Sequence, residues 1–238
     1  MRLPYFPLNA VLFPHLPLPL QIFEERYRAM ARDLVADDSA YAGRFVVAMI
    51  TDGQEAGDPA AETREIGTIC EVRTAEQLPD GRWVLLCAGL VRARLGTVDR
   101  SGPYAMVEVE ALPETAGDVG SDQLSRVQAA LDHYMDCVKR FVTSAASVGH
   151  DSQEITRVAA SLDEVLKPIR LPDDPLAASY AVAGVLQIEL IRKQHLLELP
   201  DAAARLRTEL DLLRRESRLL SEGAMPPVST SDLNYNPN

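Results

Sequence analysis

Residues 16–27 read LPLPLQIFEERY, an apolar run with two prolines two residues apart that stops at a block of charge. In a strand, the missing N–H groups of Pro17 and Pro19 fall on the same side, and that side cannot donate to a neighbour. The spacing therefore predicts an edge strand paired only on its other side, with Leu18, Leu20 and Ile22 facing a core together. It also argues against peptide capture by strand addition along this stretch. Glu24 and Glu25 suit the N-terminal end of a helix, and Glu24 stands four residues before Arg28 as a favourable helical pair. Tyr27, Met30, Ala31 and Leu34 then recur at helical spacing as far as Val35. An edge strand that runs straight into an amphipathic helix predicts a fold mixing sheet and helix.

Reading outward, the first half of the chain continues as short apolar or alternating runs: Ala10–Phe13, Leu16–Phe23, Arg44–Thr51, Ile66–Thr74, Arg82–Ala88, Val91–Val98 and Pro103–Ala111. In the last, Ala105, Val107, Val109 and Ala111 share one face while Met106, Glu108 and Glu110 share the other. Pro79-Asp80-Gly81 predicts a hairpin turn, and Gly89 reads as a break before Val91. Residues 51–64 are polar and read as a surface loop. Strands at this spacing predict a small antiparallel barrel or sandwich.

The pattern turns helical after Pro113. A long helix is expected from Ser121 to about Val148, with Leu124, Val127, Leu131, Tyr134, Val138, Phe141 and Ala145 on one face. A second starts at Asp151 and stops at Pro168. A third begins at Asp174-Pro175, a capping residue followed by proline in the first turn, and its run AASYAVAGVL is apolar nearly all round. A short helical segment covers Ile191–Leu197, and a last helix follows Pro200 with Asp201 as its cap. Residues 223–238 read as a mobile tail.

The 238 residues are 47% hydrophobic, with a formal charge of −11 from 24 basic and 35 acidic side chains. A phosphate-binding face would have to stand against that field, and no basic run exceeds two residues. Cys70, Cys87 and Cys137 form no C-x-x-C and leave at least one thiol unpaired, which points to a reducing compartment. Pro4 and Pro7 interrupt any signal-peptide helix, and no stretch approaches a membrane span of about 18 apolar residues, so a cytoplasmic location is expected.

No phosphate-binding G-x-x-x-x-G-K-[ST], dinucleotide G-x-G-x-x-G, zinc H-E-x-x-H or nucleophile G-x-S-x-G motif occurs. His15, His133, His150 and His195 stand far apart and have no metal-ligand spacing. No catalytic residue, cofactor or metal site is therefore expected. Cys70 and Cys87 lie in apolar strand patterns that predict inert packing; Cys137, beside Lys139 and Arg140, is the one thiol with cationic neighbours.

LPYFPLNAVLFPHLPLPLQIFEERYRAM, residues 3–30, resembles the start of the amino-terminal substrate-binding domain of Lon proteases, whose pattern runs L-P-L-F-P-L-x-x-V-L-F-P-G and then L-P-L-x-I-F-E-x-R-Y. The resemblance continues in order through Ile66-Gly67-Thr68, Asp80-Gly81-Arg82, the G-x-x-R-x-R of Gly89 to Arg94, Tyr104–Leu112, Lys193-Gln194 through Leu197-Glu198, Arg205-Leu206 and Leu213 to Glu216. It covers about residues 3–217. It departs from the pattern at His15, where the family usually has glycine or a small residue after F-P.

This resemblance implies an α+β fold: an N-terminal PUA-like antiparallel β pseudo-barrel over residues 1–113, then a C-terminal helical bundle over 114–222 and the tail. It implies binding of polypeptide clients or a protein partner. The ATPase and Ser–Lys protease domains of a full Lon are not among these 238 residues, so a stand-alone, non-enzymatic recognition module is expected. Glu24, Glu25 and Arg26 are the candidate binding residues, at the rim of a recognition surface beside the barrel mouth. Two alternatives stand beside this reading. One is RNA binding, as in other PUA-like proteins, through a small basic stripe of Arg92 and Arg94; the other is an unrecognised thiol-dependent enzyme using Cys137.

Overall fold

A computed structural model describes residues 1–55, 61–146 and 168–223. The chain groups into two compact units, one formed by residues 1–114 with 189–199, the other by the described parts of 115–188 and 200–223.

The first unit carries the sheet: β1 (Arg2–Leu8), β2 (Pro17–Ile22), β3 (Arg44–Asp52), β4 (Glu62–Thr63), β5 (Ile66–Gln77), β6 (Trp83–Asp99) and β7 (Met106–Ala111). Strand order is β1-β7-β6-β5-β3-β4, with β2 paired to β6. A further pairing joins β3 to β1, so five strands close a hydrogen-bonded ring. Every pairing is antiparallel except β1 with β3, where Tyr5 to Leu8 lie beside Val46 to Met49. That parallel step is made possible by a crossover through β2 and helix α1 (Glu25–Val35). It leaves β3 buried on both faces from Phe45 to Ile50. Phe6, Leu8, Leu20, Ile22, Met30 and Phe45 fill one core; Leu3, Tyr5, Val46, Ile69 and Val107 fill another.

Three expectations are corrected here. Residues 10–13 are not a strand; the first strand is Arg2–Leu8, where Pro4 and Pro7 sit in register with Met106 and Ala48. Residues 62–63 of the supposed loop form a short strand. Gly89 does not break β6, which runs through it; β5 and β6 shift register between Ile69 and Cys70, and the strand continues. The glycine answers a close approach instead, because a Cβ there would collide with the carbonyl oxygen of Phe13. The turn at Pro79-Asp80-Gly81 forms as expected, with Gly81 at φ 82° and its N–H donating to Leu78 O at 2.8 Å.

Helix α4 (Leu190–Glu198) belongs to this unit. Gln194 Nε2 donates to the β5 carbonyl of Ile66 at 2.9 Å. Arg92 of β6, only 2% exposed, donates through Nη1 to the carbonyls of Leu197 and Leu199 at 2.9 and 2.6 Å, and through Nε to Glu114 at 2.8 Å. The guanidinium thus satisfies carbonyls that the helix end leaves open.

The second unit holds α2 (Gln123–Ala146), α3 (Pro175–Val185) and α5 (Ala202–Ser221). Asp174 and Asp201 cap α3 and α5 as expected, accepting from Ala177 N at 2.9 Å and Ala204 N at 2.7 Å. Inside, Arg205 donates to Ser179 Oγ at 2.8 Å and lies over the Tyr180 ring at 4.1 Å. The expected helix from Asp151 to Pro168 lies almost wholly outside the described residues, as does the tail beyond Gly223.

Candidate functional site

The outer face of the β2–β6–β5 ribbon is where apolar surface is left uncovered. Alternation along β6 turns Trp83, Leu85 and Cys87 into the core and leaves Val84 and Leu86 outward, each 42% exposed. Register places Pro19 opposite Leu86 and Gln21 opposite Val84 on one side. On the other side Thr74 stands opposite Leu86 and Glu76 opposite Val84. Phe23, 38% exposed, continues the outward parity of Pro17, Pro19 and Gln21 one step past the strand end. Val84, Leu86 and Phe23 are three of the five exposed large hydrophobic residues among those described, the others being Met1 and Ile191. Scattered apolar exposure is ordinary, but three such residues along one sheet face, with two prolines beside them, form a patch.

The edge of that face is closed to strand addition. Leu16 O accepts from Gly89 N at 3.0 Å, so the even-numbered residues of the strand turn their backbone groups toward β6. Pro17 and Pro19 therefore face the open edge without donors, as their spacing predicts, and β2 pairs with β6 alone. A bound chain would have to engage side chains on the face.

The three candidate binding residues follow Phe23 directly. Glu25 is exposed and holds two arginines, Arg28 and Arg32, each at 3.2 Å. Arg28 also donates through Nε to Gly81 O at 2.7 Å, so Glu25 and the β5–β6 turn are linked through one guanidinium. The expected pair of Glu24 with Arg28 is replaced by Glu25 with Arg28, since the side chain swings toward the turn. Arg26 is held inward: its Nε is 3.0 Å from Glu24 Oε2, and its guanidinium lies 4.5 Å from the Tyr27 ring centroid. Burial pushes the Tyr27 phenol up to about 12 against the pull of Arg26. Glu25 is thus exposed in the first turn of α1, while Arg26 and Glu24 are largely covered.

The other residues singled out by sequence separate cleanly. Arg92 is buried in the α4 anchor, and Arg94 is exposed with Glu65 at 3.8 Å, so the two form no surface stripe. Cys70 and Cys87 are buried; burial holds the Cys70 thiol well above its usual range and Cys87 at about 12. Cys137, on α2, has Arg140, His133 and Ser221 around its sulfur. Among the described residues no three His, Cys, Asp or Glu side chains gather as a metal site, and no helix is long and apolar enough to cross a membrane.

What missed detection in the sequence were Val84 and Leu86. Their alternation with Trp83, Leu85 and Cys87 was available as a signal, but a run of five apolar residues does not by itself say which parity faces out.

Such a molecule is an α+β module with an uncovered apolar sheet face. The chain belongs to the family described as the ATP-dependent protease La (LON) substrate-binding domain, whose sequence profile matches residues 2–215. It is 29% identical over 224 residues to the Lon protease of Trichlorobacter lovleyi, covering 92% of this chain and 24% of that protein. It is 28% identical over 198 residues to Lon protease 2 of Syntrophobacter fumaroxidans, covering 83% of this chain and 22% of that protein. The chain thus spans about a quarter of the length of these relatives. In fold it is similar to the Lon N-terminal domain protein from Xanthomonas campestris, at a TM-score of 0.59 and 20% identity over 89% of this chain and 98% of that one.

Proposed function

We propose that this chain is a non-catalytic polypeptide-recognition module that binds unfolded segments through the outer face of the β2–β6–β5 ribbon. In this reading the closed strand ring is a PUA-like pseudo-barrel and the second unit a helical bundle. The observation that carries the proposal is the alignment of Phe23, Val84 and Leu86 on one face beside Pro17 and Pro19. A folded partner would demand a matched relief, whereas an extended chain needs only apolar side chains to lay across the ribbon. Glu25 and Glu71 at its border are already paired with Arg28, Arg32 and Arg73, so the apolar side chains and not the border charges select the bound segment. The matched family and the curated relatives are consistent with a role in handling polypeptide.

The test uses a permanently unfolded cationic protein, such as reduced and carboxamidomethylated lysozyme, titrated against the chain by fluorescence anisotropy. Replacing Val84 and Leu86 together by serine should weaken binding about tenfold or more, since each loses apolar contact area. Both side chains are more than half covered in a strand paired on both sides, so the melting temperature should fall by a few degrees while circular dichroism shows the fold intact. Equal affinity of the double variant and the parent would sink this surface as the site.

A further inference from the structure

In the second unit, the thiol of Cys137 sits in polar company that packing alone does not require. It is 3% exposed, yet Arg140 Nη2 donates to its sulfur at 3.2 Å. His133 Nε2 lies 3.7 Å from the sulfur and Ser221 Oγ 3.6 Å from it. His133, Cys137 and Arg140 are one turn apart along α2, and Ser221 comes from the last turn of α5. The sulfur also lines a cavity of about 480 Å³, with Arg140, Phe141, Ser144 and Leu220 among its walls. Arg140 and His133 are exposed side chains on the solvent side of the thiol, and among the described residues no carboxylate pairs with Arg140, so the sulfur is its acceptor. The other two thiols of the chain have none of this: Cys70 reaches only the carbonyl of Phe45, and burial raises both.

We infer that Cys137 is an oxidisable site that takes hydrogen peroxide, or a small alkyl hydroperoxide, in the cavity and becomes a sulfenic acid. The proton of the thiol passes to His133 Nε2. A sulfur lone pair then attacks one peroxide oxygen; the S–O bond forms as the O–O bond breaks. The departing hydroxide, or alkoxide, recovers the proton from His133 and leaves as water, or as the alcohol. Sulfur is oxidised by two electrons and the peroxide is reduced by the same two. Arg140 lies where negative charge moves from sulfur to the leaving oxygen, and its several N–H groups serve both ends. Phe141 and Leu220 keep the cavity apolar on its other side, which favours a small neutral oxidant over a charged one. The product places a hydroxyl beside Ser221 at the contact of α2 with the end of α5, so oxidation marks that helix pair.

The experiment exposes the full chain to hydrogen peroxide with dimedone present and follows each cysteine by peptide mass spectrometry, once folded and once in denaturant. A merely buried thiol is protected by folding, and Cys70 and Cys87 should be. Cys137 is expected to do the opposite and react at least about tenfold faster folded than unfolded. Arg140→Met should remove that acceleration and His133→Asn most of it, while Arg140→Lys should keep a part, with circular dichroism showing the helices intact. Slower labelling of Cys137 in the folded chain would overturn the proposal without any variant. So would an acceleration that survives Arg140→Met.

Discussion

At Gly89 a single hydrogen atom decides whether the loop before β2 can cross β6. His15 N donates to Gly89 O at 2.9 Å and Gly89 N to Leu16 O at 3.0 Å, so the two backbones lie too close for a side chain. Gly89→Ala must push the Phe13 carbonyl away, and the strain expected is about 2–3 kcal/mol of stability, measured by urea unfolding. A loss under half a kcal/mol would mean the crossing is loose. The same loop explains the one departure from the family pattern noted in its first turn. His15 has φ 67°, the left-handed region that glycine enters without cost. His15→Gly should therefore stabilise the chain by about 1 kcal/mol, the relief of strain being partly offset by the freer unfolded state. His15→Ala, which keeps the Cβ, should bring no such gain; if alanine stabilises as much as glycine, the side chain and not the backbone is at fault.

Element by element, the sequence motifs turn out to mark joints. The G-x-x-R-x-R of β6 places Arg92 under the last carbonyls of α4, and the K-Q of α4 places Gln194 on Ile66 O. Arg92→Met should cost about 3–5 kcal/mol, because Glu114 and two helix-end carbonyls lose a buried charged donor; hydrogen exchange should show α4 opening first. Protection of α4 equal to the parent would contradict the anchor. That α4 sides with the sheet was not legible, since Leu190–Glu198 follows the helical half without any break in pattern. Capping was legible, because Asp174 and Asp201 satisfy orphan N–H groups locally. So was the edge character of β2, which two prolines dictate alone. The first strand was not legible, because Pro4 and Pro7 weaken its pattern and its partners lie about forty and a hundred residues away.

Glu209 shows the opposite of a legible residue: it stands in a leucine-rich helix like any surface glutamate, yet it is fully buried and neither of its oxygens finds a hydrogen bond. Burial holds its carboxyl well above the ordinary 4.5, with Arg205 pulling the other way. The folded state therefore binds the proton more tightly than the unfolded chain. Its contribution to stability is full below about pH 4.5 and is lost as pH rises toward the folded-state value. Glu209→Gln should raise stability by about 1–2 kcal/mol at pH 8 and by little at pH 5, read from melting curves at both. An equal gain at the two pH values would show that the carboxyl is already neutral, or already charged, across the whole range.

For the whole molecule, the proposed capture of polypeptides through the sheet face makes the net charge of −11 the factor that should set which of them arrive first. An apolar face binds any extended chain with the right side chains, but the field around it draws cations and repels anions. At low salt, near 0.02 M, a cationic unfolded polypeptide should associate faster than an anionic one of matched hydrophobicity. Near 0.5 M the Debye length falls to a few ångströms, and the two should converge on the rate the apolar face sustains alone. Stopped-flow fluorescence at both salts separates the two contributions. Substituting Glu25→Lys should narrow the low-salt difference, since that side chain is 69% exposed and leaves the pair of Arg26 and Glu24 untouched. If the charge reversal shifts the dissociation rate at high salt instead, Glu25 touches the bound chain directly. A preference for anionic polypeptides at low salt would mean the captured segment meets a surface other than this one.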